Sequence, residues 1–293
     1  MKSLYFVVDV FAQARYSGNQ LAVVVTGENI QHEQMQKIAL EANFSETTFV
    51  DPVQEADAGY LTRIFTPARE ISFAGHPILG TAWVIRKYLE PENEGPLLLD
   101  LPVGQIEATF EQNGAGDEVV WFTAPTASFG AVCECSPIAE ALGLSEDDID
   151  CTKPVQQMTA GVSVLIVPVK TLEALRHSRL DLEAYRPLLD LGFPPLVYLY
   201  CSETYDERND FCVRFFFEAG GVREDPATGN GAAFFGAYLL RYSKAEATQE
   251  LRLEQGHAVN RPSLILLSAE MRDGKPVVRV GGGVITTIKG QLL

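Results

Sequence analysis

Several large classes of function find little support in this chain. No run of about 18 uninterrupted apolar residues occurs, so no membrane-spanning helix is expected. Basic residues are scarce: 23 Lys and Arg stand against 39 Asp and Glu, a formal charge of −16. Nucleic-acid binding needs a basic footprint, and this balance argues against one. The charge names no substrate, because net charge speaks mainly to solubility. Cysteine occurs five times, at Cys133, Cys135, Cys151, Cys201 and Cys212. The odd number and irregular spacing match no disulfide framework, so free thiols and a cytoplasmic location are expected. Cys133 and Cys135 form a CxC pair without a second ligand pair, and a structural metal normally takes four ligands. Two incidental thiols and no metal are the expectation. No GxGxxG follows an opening strand, and there is no GxxxxGK[ST] loop, GxSxG elbow or HExxH pair. The run GVREDPATGNG has glycines but lacks the lysine of a phosphate loop. No cofactor is therefore expected.

What the chain does contain is a repeat. Residues 75–88 read GHPILGTAWVIRKY and residues 229–242 read GNGAAFFGAYLLRY. Gly75 aligns with Gly229, His76 with Asn230, Ala82 with Gly236 and Tyr88 with Tyr242. Each copy is a glycine turn opening a small-residue apolar helix, and each follows a strand-like run, RIFT or VRFFF. Gly104 and Gly256 recur at a similar offset on expected hairpins, which argues for two related domains. The seam falls near TAPTASFGAV, and the last strand, VVRVGGGVITTIKG, is placed to return to the first domain. The expected domains are residues 1–124 with 280–293, and residues 125–279. Elsewhere Met35, Ile38, Ala39 and Ala42 form one helical stripe, and Ser136-Pro137 reads as a helix start with Ser136 as N-cap. The N-terminal apolar run carries Asp9 and reads as a strand rather than a signal peptide.

The chemistry is expected at the helix starts. A glycine turn at a helix N-terminus presents unpaired N–H groups and the positive end of the helix dipole, which suits an anion. A pocket between two such ends would hold a carboxylate and stabilise an enolate-like charge. His76 sits on the first turn, where positive potential favours a neutral imidazole able to hydrogen-bond a polarised oxygen. The residue also reads as a loop histidine capping local backbone. Glu46, in NFSETTFV, reads either as a partly buried base or as a surface glutamate. Asp225, in REDPATGNGAA, reads as a cap for the following backbone or as an acceptor for a substrate hydroxyl or amine. Asn230 reads as a helix cap or a substrate contact. Gly18-Asn19 and Gly256 mark turns able to edge the cleft. His32 and His177 lie in polar surroundings and are expected to be solvated. His257 adjoins Gly256 and receives no role.

At these residues the chain resembles the PhzF family, the phenazine-biosynthesis-like proteins sharing the diaminopimelate epimerase fold. The matching segments are DVFAQARYSGNQLAVV, NFSETTFV, RIFTPAREISFAGHPILGTA, EDPATGNGAA, LEQGHAVNRPS and VRVGGGV, in order along nearly the whole chain. The resemblance implies an α+β fold of two similar domains, each a β-barrel-like sheet around a central helix. It implies an active site in the cleft between them, a cofactor-independent isomerase and a homodimer. In the family's best-understood member a glutamate of the SET motif, here Glu46, is the general acid and base on 2,3-dihydro-3-hydroxyanthranilate. His76 and Asp225 then position and polarise the substrate. With the residue-level reading above, the expected substrate-binding residues are Gly75 and Gly229, whose N–H groups receive the carboxylate, and Gly18, Asn19, Asn230 and Gly256. The partner implied is a small carboxylate, with neither nucleic acid nor membrane. Two departures stand out. Asn230 occupies a position that is serine in the phenazine enzyme, leaving the substrate open. Ala74 and Thr228 stand where epimerase relatives place their two thiols, which disfavours a two-thiol racemase. A non-catalytic binding protein and a one-base epimerase of a small amino or hydroxy acid remain as alternatives on the same fold.

Overall fold

The computed structural model describes residues 3–27, 30–52, 59–114, 116–243 and 249–293. The chain divides into two compact units, Met1–Thr123 with Val280–Leu293, and Ala124–Arg279. Both mix helices with largely antiparallel strands, an α+β architecture.

The first unit contains strands β1 (Leu4–Val10), β2 (Asn19–Val25), β3 (Glu46–Val50), β4 (Tyr60–Phe65), β5 (Glu70–Ile71), β6 (Leu97–Leu101), β7 (Gly104–Gln112) and β8 (Glu118–Thr123). Its helices are α1 (His32–Ala42) and α2 (Gly75–Val84). Val, Leu, Ile and Phe dominate these strands, as strands packed on an apolar face require. The ring closes through the last strand of the chain, which pairs with β1 on one side and β8 on the other. Around it run β1, β2, β3, β4, β6, β7 and β8. A closed ring leaves no unpaired edge.

The interior of the ring is filled by α2. Nine of its ten residues are buried, and it touches β1, β2, β3, β6, β7 and β8. A helix apolar on every side can only be stable in such a place. Ile78 and Leu79 lose all exposure, each contributing about 2 kcal/mol of transfer free energy. Small residues set how closely the ring can approach. A Cβ on Gly80 would stand 2.5 Å from Leu21 Cδ2 and 2.9 Å from Val8 Cγ2. By contrast α1 covers the outside, resting Met35 and Ala39 on Val24, Phe49 and Phe65. Ile38 and Ala42 of the expected stripe are only half-buried.

The second unit contains β9 (Ser128–Cys133), β10 (Val155–Ala160), β11 (Val162–Pro168), β12 (Leu196–Cys201), β13 (Phe211–Glu218), β14 (Val222–Asp225), β15 (Gln249–Gln255) and β16 (Ser263–Arg272). The final strand, β17 (Lys275–Gln291), begins here, and from Val280 belongs to the first unit. Strands β9 to β13 pair in sequence order. The far edge of β13 is shared, β14 pairing with its C-terminal half and β15 with Phe211 and Cys212. β16 continues from β15. The central helix is α6 (Gly229–Tyr242), with ten of fourteen residues buried. Phe235 packs its ring against Tyr198, Tyr200 and Phe211, and a Cβ on Gly231 would fall 2.4 Å from the Tyr198 ring. Helices α3 (Cys135–Ala141), α4 (Leu172–His177) and α5 (Leu182–Asp190) share a separate core that includes Ile138, Leu175, Tyr185 and Phe216.

Two local expectations are corrected. Cys135 and Cys151 are joined in a disulfide, with their Cα atoms 6.3 Å apart, so CxC is not a pair of incidental thiols. The link is made by a chain reversal after α3, held by Ser145, which caps the short turn Glu146–Asp148. No spacing rule could disclose that return. Cys133, Cys201 and Cys212 stay free and buried. Helix α3 also begins at Cys135 with Glu134 as its N-cap, not at Ser136.

Replacing Gly80 by leucine is expected to lower the stability of the chain by roughly 3 kcal/mol, because the side chain has no volume to enter. Urea unfolding curves compare the two proteins, and an unchanged midpoint would contradict α2 as the tightly packed centre of the first unit.

Candidate active site

The residues singled out from the sequence gather into one cluster in each unit. In the first unit the chain between β1 and β2 is bent back by the buried carboxylate of Asp9, whose Oδ2 accepts the Tyr16 N–H at 2.7 Å. The bend reaches Gly18, where φ is +70° and a Cβ would lie 2.3 Å from the Val10 carbonyl oxygen. Only glycine fits that position. The next residue, Asn19, is buried, and its Nδ2 lies 3.4 Å from His76 Nδ1.

His76 is the second residue of α2, and Ala74 caps that helix without a side-chain hydrogen bond. The imidazole is 4% exposed. Its Nε2 lies 3.4 Å from Oε2 of Glu46, the first residue of β3. Among the described residues Nε2 has no hydrogen-bond partner, so the contact has the distance of an ion pair without hydrogen-bond geometry. Burial pushes the His76 pKa down to about 3, and a main-chain hydrogen bond at Gln20 opposes the shift only in part. The ring is therefore neutral at ordinary pH, and its contact with Glu46 is not a salt bridge there. Neutrality was expected from the helix dipole; desolvation is its first cause.

In the second unit β14 ends at Asp225, which is 8% exposed. Its Oδ2 accepts from Thr228 Oγ1 at 2.6 Å. Gln255, at the end of β15, ties the turn together. Its Nε2 donates to the Asp225 main-chain oxygen at 2.9 Å and its Oε1 accepts the Thr228 N–H at 3.0 Å. Gly256 follows at φ +81°, where a Cβ would sit 2.2 Å from the Arg261 oxygen. Sequence reasoning missed Gln255, although it stands next to Gly256 in LEQGHAVN. Thr228 caps α6 without a side-chain hydrogen bond to the helix, and Gly229 opens it. Asn230 is not the cap, and its buried Oδ1 has no hydrogen-bond partner among the described residues.

Glu46, His76, Asn19, Gly18 and Gly75 thus belong to the first unit, and Asp225, Gly229, Asn230 and Gly256 to the second. His32 and His177 are exposed. The thiols are absent from both helix starts: Thr228 spends its hydroxyl on Asp225, and Ala74 offers none. Among the described residues no group of three or more His, Cys, Asp or Glu is arranged to hold a metal ion, and no helix is long and apolar enough to cross a membrane.

The chain is similar to known proteins along nearly its whole length. A family model described as phenazine biosynthesis-like protein matches residues 8–290. The chain is 33% identical over 297 residues to an uncharacterized isomerase of Mesorhizobium japonicum, covering 98% of each chain. It is 32% identical over 291 residues to the trans-2,3-dihydro-3-hydroxyanthranilate isomerase of Pseudomonas chlororaphis, covering 99% of each. The crystal structure of a PhzF-family phenazine biosynthesis protein from Bacillus anthracis superposes with a TM-score of 0.91 at 26% identity, over the full length of both.

The His76 shift fixes a sign for pH dependence. The folded ring binds its proton only near pH 3, while an unfolded histidine does so near 6.5. Below pH 6.5 the unfolded chain therefore binds more protons, and stability falls as pH is lowered through the window from 6.5 toward 3. Between pH 7 and pH 5 this residue is expected to account for about 2 kcal/mol of lost stability. Urea titrations at the two pH values measure it, and His76→Gln should show a correspondingly smaller loss. Equal losses in both proteins would refute the buried neutral ring.

Proposed function

The chain belongs to the phenazine biosynthesis-like family of isomerases, and on that premise we propose that it moves a proton along a small unsaturated carboxylate by single-glutamate acid/base catalysis without a cofactor. The observation that carries this reading is the 3.4 Å approach of Glu46 Oε2 to the buried, neutral His76. A neutral imidazole adds no positive charge that would hold the neighbouring carboxylate in its ionised form. Glu46 takes a proton from a carbon whose C–H bond is weakened by conjugation. The electron pair spreads through the unsaturated system toward the substrate carboxylate. Glu46, now a carboxylic acid, returns the proton to another carbon of the same system, so atoms and charge balance over the cycle. His76, as a neutral imidazole, hydrogen-bonds a polar group of the substrate without placing a positive charge beside Glu46.

Asp225 serves a hydroxyl or amine substituent in this reading, with Thr228 and Gln255 holding its orientation. The uncapped starts of α2 and α6 supply main-chain N–H groups for a carboxylate. Buried Oδ1 of Asn230 accepts a hydrogen bond from a substrate donor. The missing thiols at Ala74 and Thr228 favour one base that both removes and returns the proton over two bases on opposite faces.

Glu46→Gln is expected to lower turnover of trans-2,3-dihydro-3-hydroxyanthranilate at least about a hundredfold, since the amide cannot accept the proton. Circular dichroism should show an unchanged fold. The native protein turning this compound over while Glu46→Gln does so equally well would sink the mechanism.

A further inference from the structure

A cavity of about 680 Å³ opens entirely within the second unit. It lies between α4, the β13–β14 hairpin and the short turn His257–Val259. It shares no residue with either cluster described above. Register explains the separation from Asp225. Phe216 and Glu224 face one another across β13 and β14 and both line the cavity, whereas Asp225 pairs with Phe215, one residue on. Successive residues of a strand point to opposite faces, so Asp225 is turned away.

The lining combines cations with an apolar floor, in a chain whose net charge is −16. The floor is Leu175, Leu180 and Phe216, all buried. Arg176 and Arg179 stand over it, both exposed. Two acids at this cavity, Glu224 in its lining and Glu254 behind it, are already engaged. Glu224 is held by Arg214 through two hydrogen bonds, of 2.9 and 2.6 Å, with both side chains nearly buried. Arg214 spends its remaining nitrogen on the carbonyl oxygens of Leu175, Arg176 and Ser178. Glu254, behind the wall, accepts the N–H groups of Tyr205 and Asp206 and the amide of Asn209. Among the described residues no carboxylate is paired with Arg176 or Arg179.

One wall of the cavity is aromatic and fixed. Tyr205 stacks on His257 with ring centroids 4.0 Å apart, on the loop that Glu254 anchors. Burial raises the Tyr205 pKa, and the cations Arg176 and Arg214 pull against that rise, which puts both within electrostatic reach of this wall. Guanidinium groups match the planar and tetrahedral oxyanions of carboxylates and phosphates. The volume falls in the range of small-molecule sites, and apolar walls with few convergent polar groups are their common composition.

We propose that this cavity is a second ligand site, which takes a small organic dianion, a dicarboxylate or a phosphate monoester, with its charge on Arg176 and Arg179 and its carbon body on the apolar floor. Isothermal titration calorimetry at constant ionic strength tests it with succinate, phenyl phosphate and inorganic phosphate as probes. Saturable binding of succinate or of phenyl phosphate is expected, the arm that binds identifying the anion, and inorganic phosphate should bind more weakly because it has no carbon body. Arg176→Gln/Arg179→Gln should lower the affinity at least about tenfold, and Glu46→Gln should leave it unchanged. Arg176→Gln alone gives the same direction should the double variant fold poorly. No saturable binding by either organic probe, undiminished binding in the arginine variants, loss of binding in Glu46→Gln, or equal affinity for inorganic phosphate would each overturn the proposal.

Discussion

An imidazole shut away from water cannot be protonated cheaply, and the first unit is built around that constraint. Charging a group in a low-dielectric interior forfeits its hydration, which is why His76 stays neutral far below the usual histidine range. The consequence passes to Glu46. A charged histidine 3.4 Å away would hold the carboxylate in its ionised form and blunt it as a base. A neutral one leaves it free to exchange a proton while still offering a hydrogen bond to substrate. The chemistry proposed for Glu46 therefore depends less on Glu46 than on how completely α2 is enclosed.

Enclosure in turn depends on small side chains. A helix ringed by strands must keep the strands close, and at Gly80 the side chains of β1 and β2 leave no room for a Cβ. The same solution recurs in α6, where Gly231 lies under Tyr198 and Gly236 under Leu267 and Val278. Small residues that look like weak helix formers are there because the packing distance requires them. The helix starts inherit a benefit from this arrangement. With Ala74 and Thr228 as caps that make no side-chain bond to the helix, the first N–H groups are left available.

Much of this was legible in the sequence, and the reasons differ by residue. The two glycine-led helices declared themselves by repetition, and the closing role of the last strand by its apolar run after the second hairpin. Glu46 was not legible from its neighbours; only ordered motifs along the chain raised it above an ordinary loop glutamate. Gln255 went unseen because its function is to hold Asp225 and Thr228, which lie 27 to 30 positions away in sequence. The Cys135–Cys151 pair was hidden in the same way, by a chain reversal that no spacing encodes. The arginine cavity is the extreme case. Arg176, Arg179 and Arg214 come from α4, the segment after it and β13, and no local pattern joins them. Sequence displays elements and repeats; it conceals what tertiary folding brings together.

The repeat itself makes the difference between the two units meaningful. A duplicated scaffold gives each helix start the same open backbone, so the side chains around it are what distinguish them. The first start carries a buried neutral ring beside a carboxylate on β3. The second carries Asn230, with a buried amide oxygen awaiting a donor, and an aspartate already bonded to Thr228. In the proposed mechanism one start serves proton exchange and the other serves recognition. Thr228 shows how that division is maintained. Its hydroxyl donates to Asp225, so the residue that caps the second helix orients an acceptor. In the single-glutamate mechanism proposed above, a proton removed from the substrate returns from the same group, and a shift of position follows more naturally than an inversion.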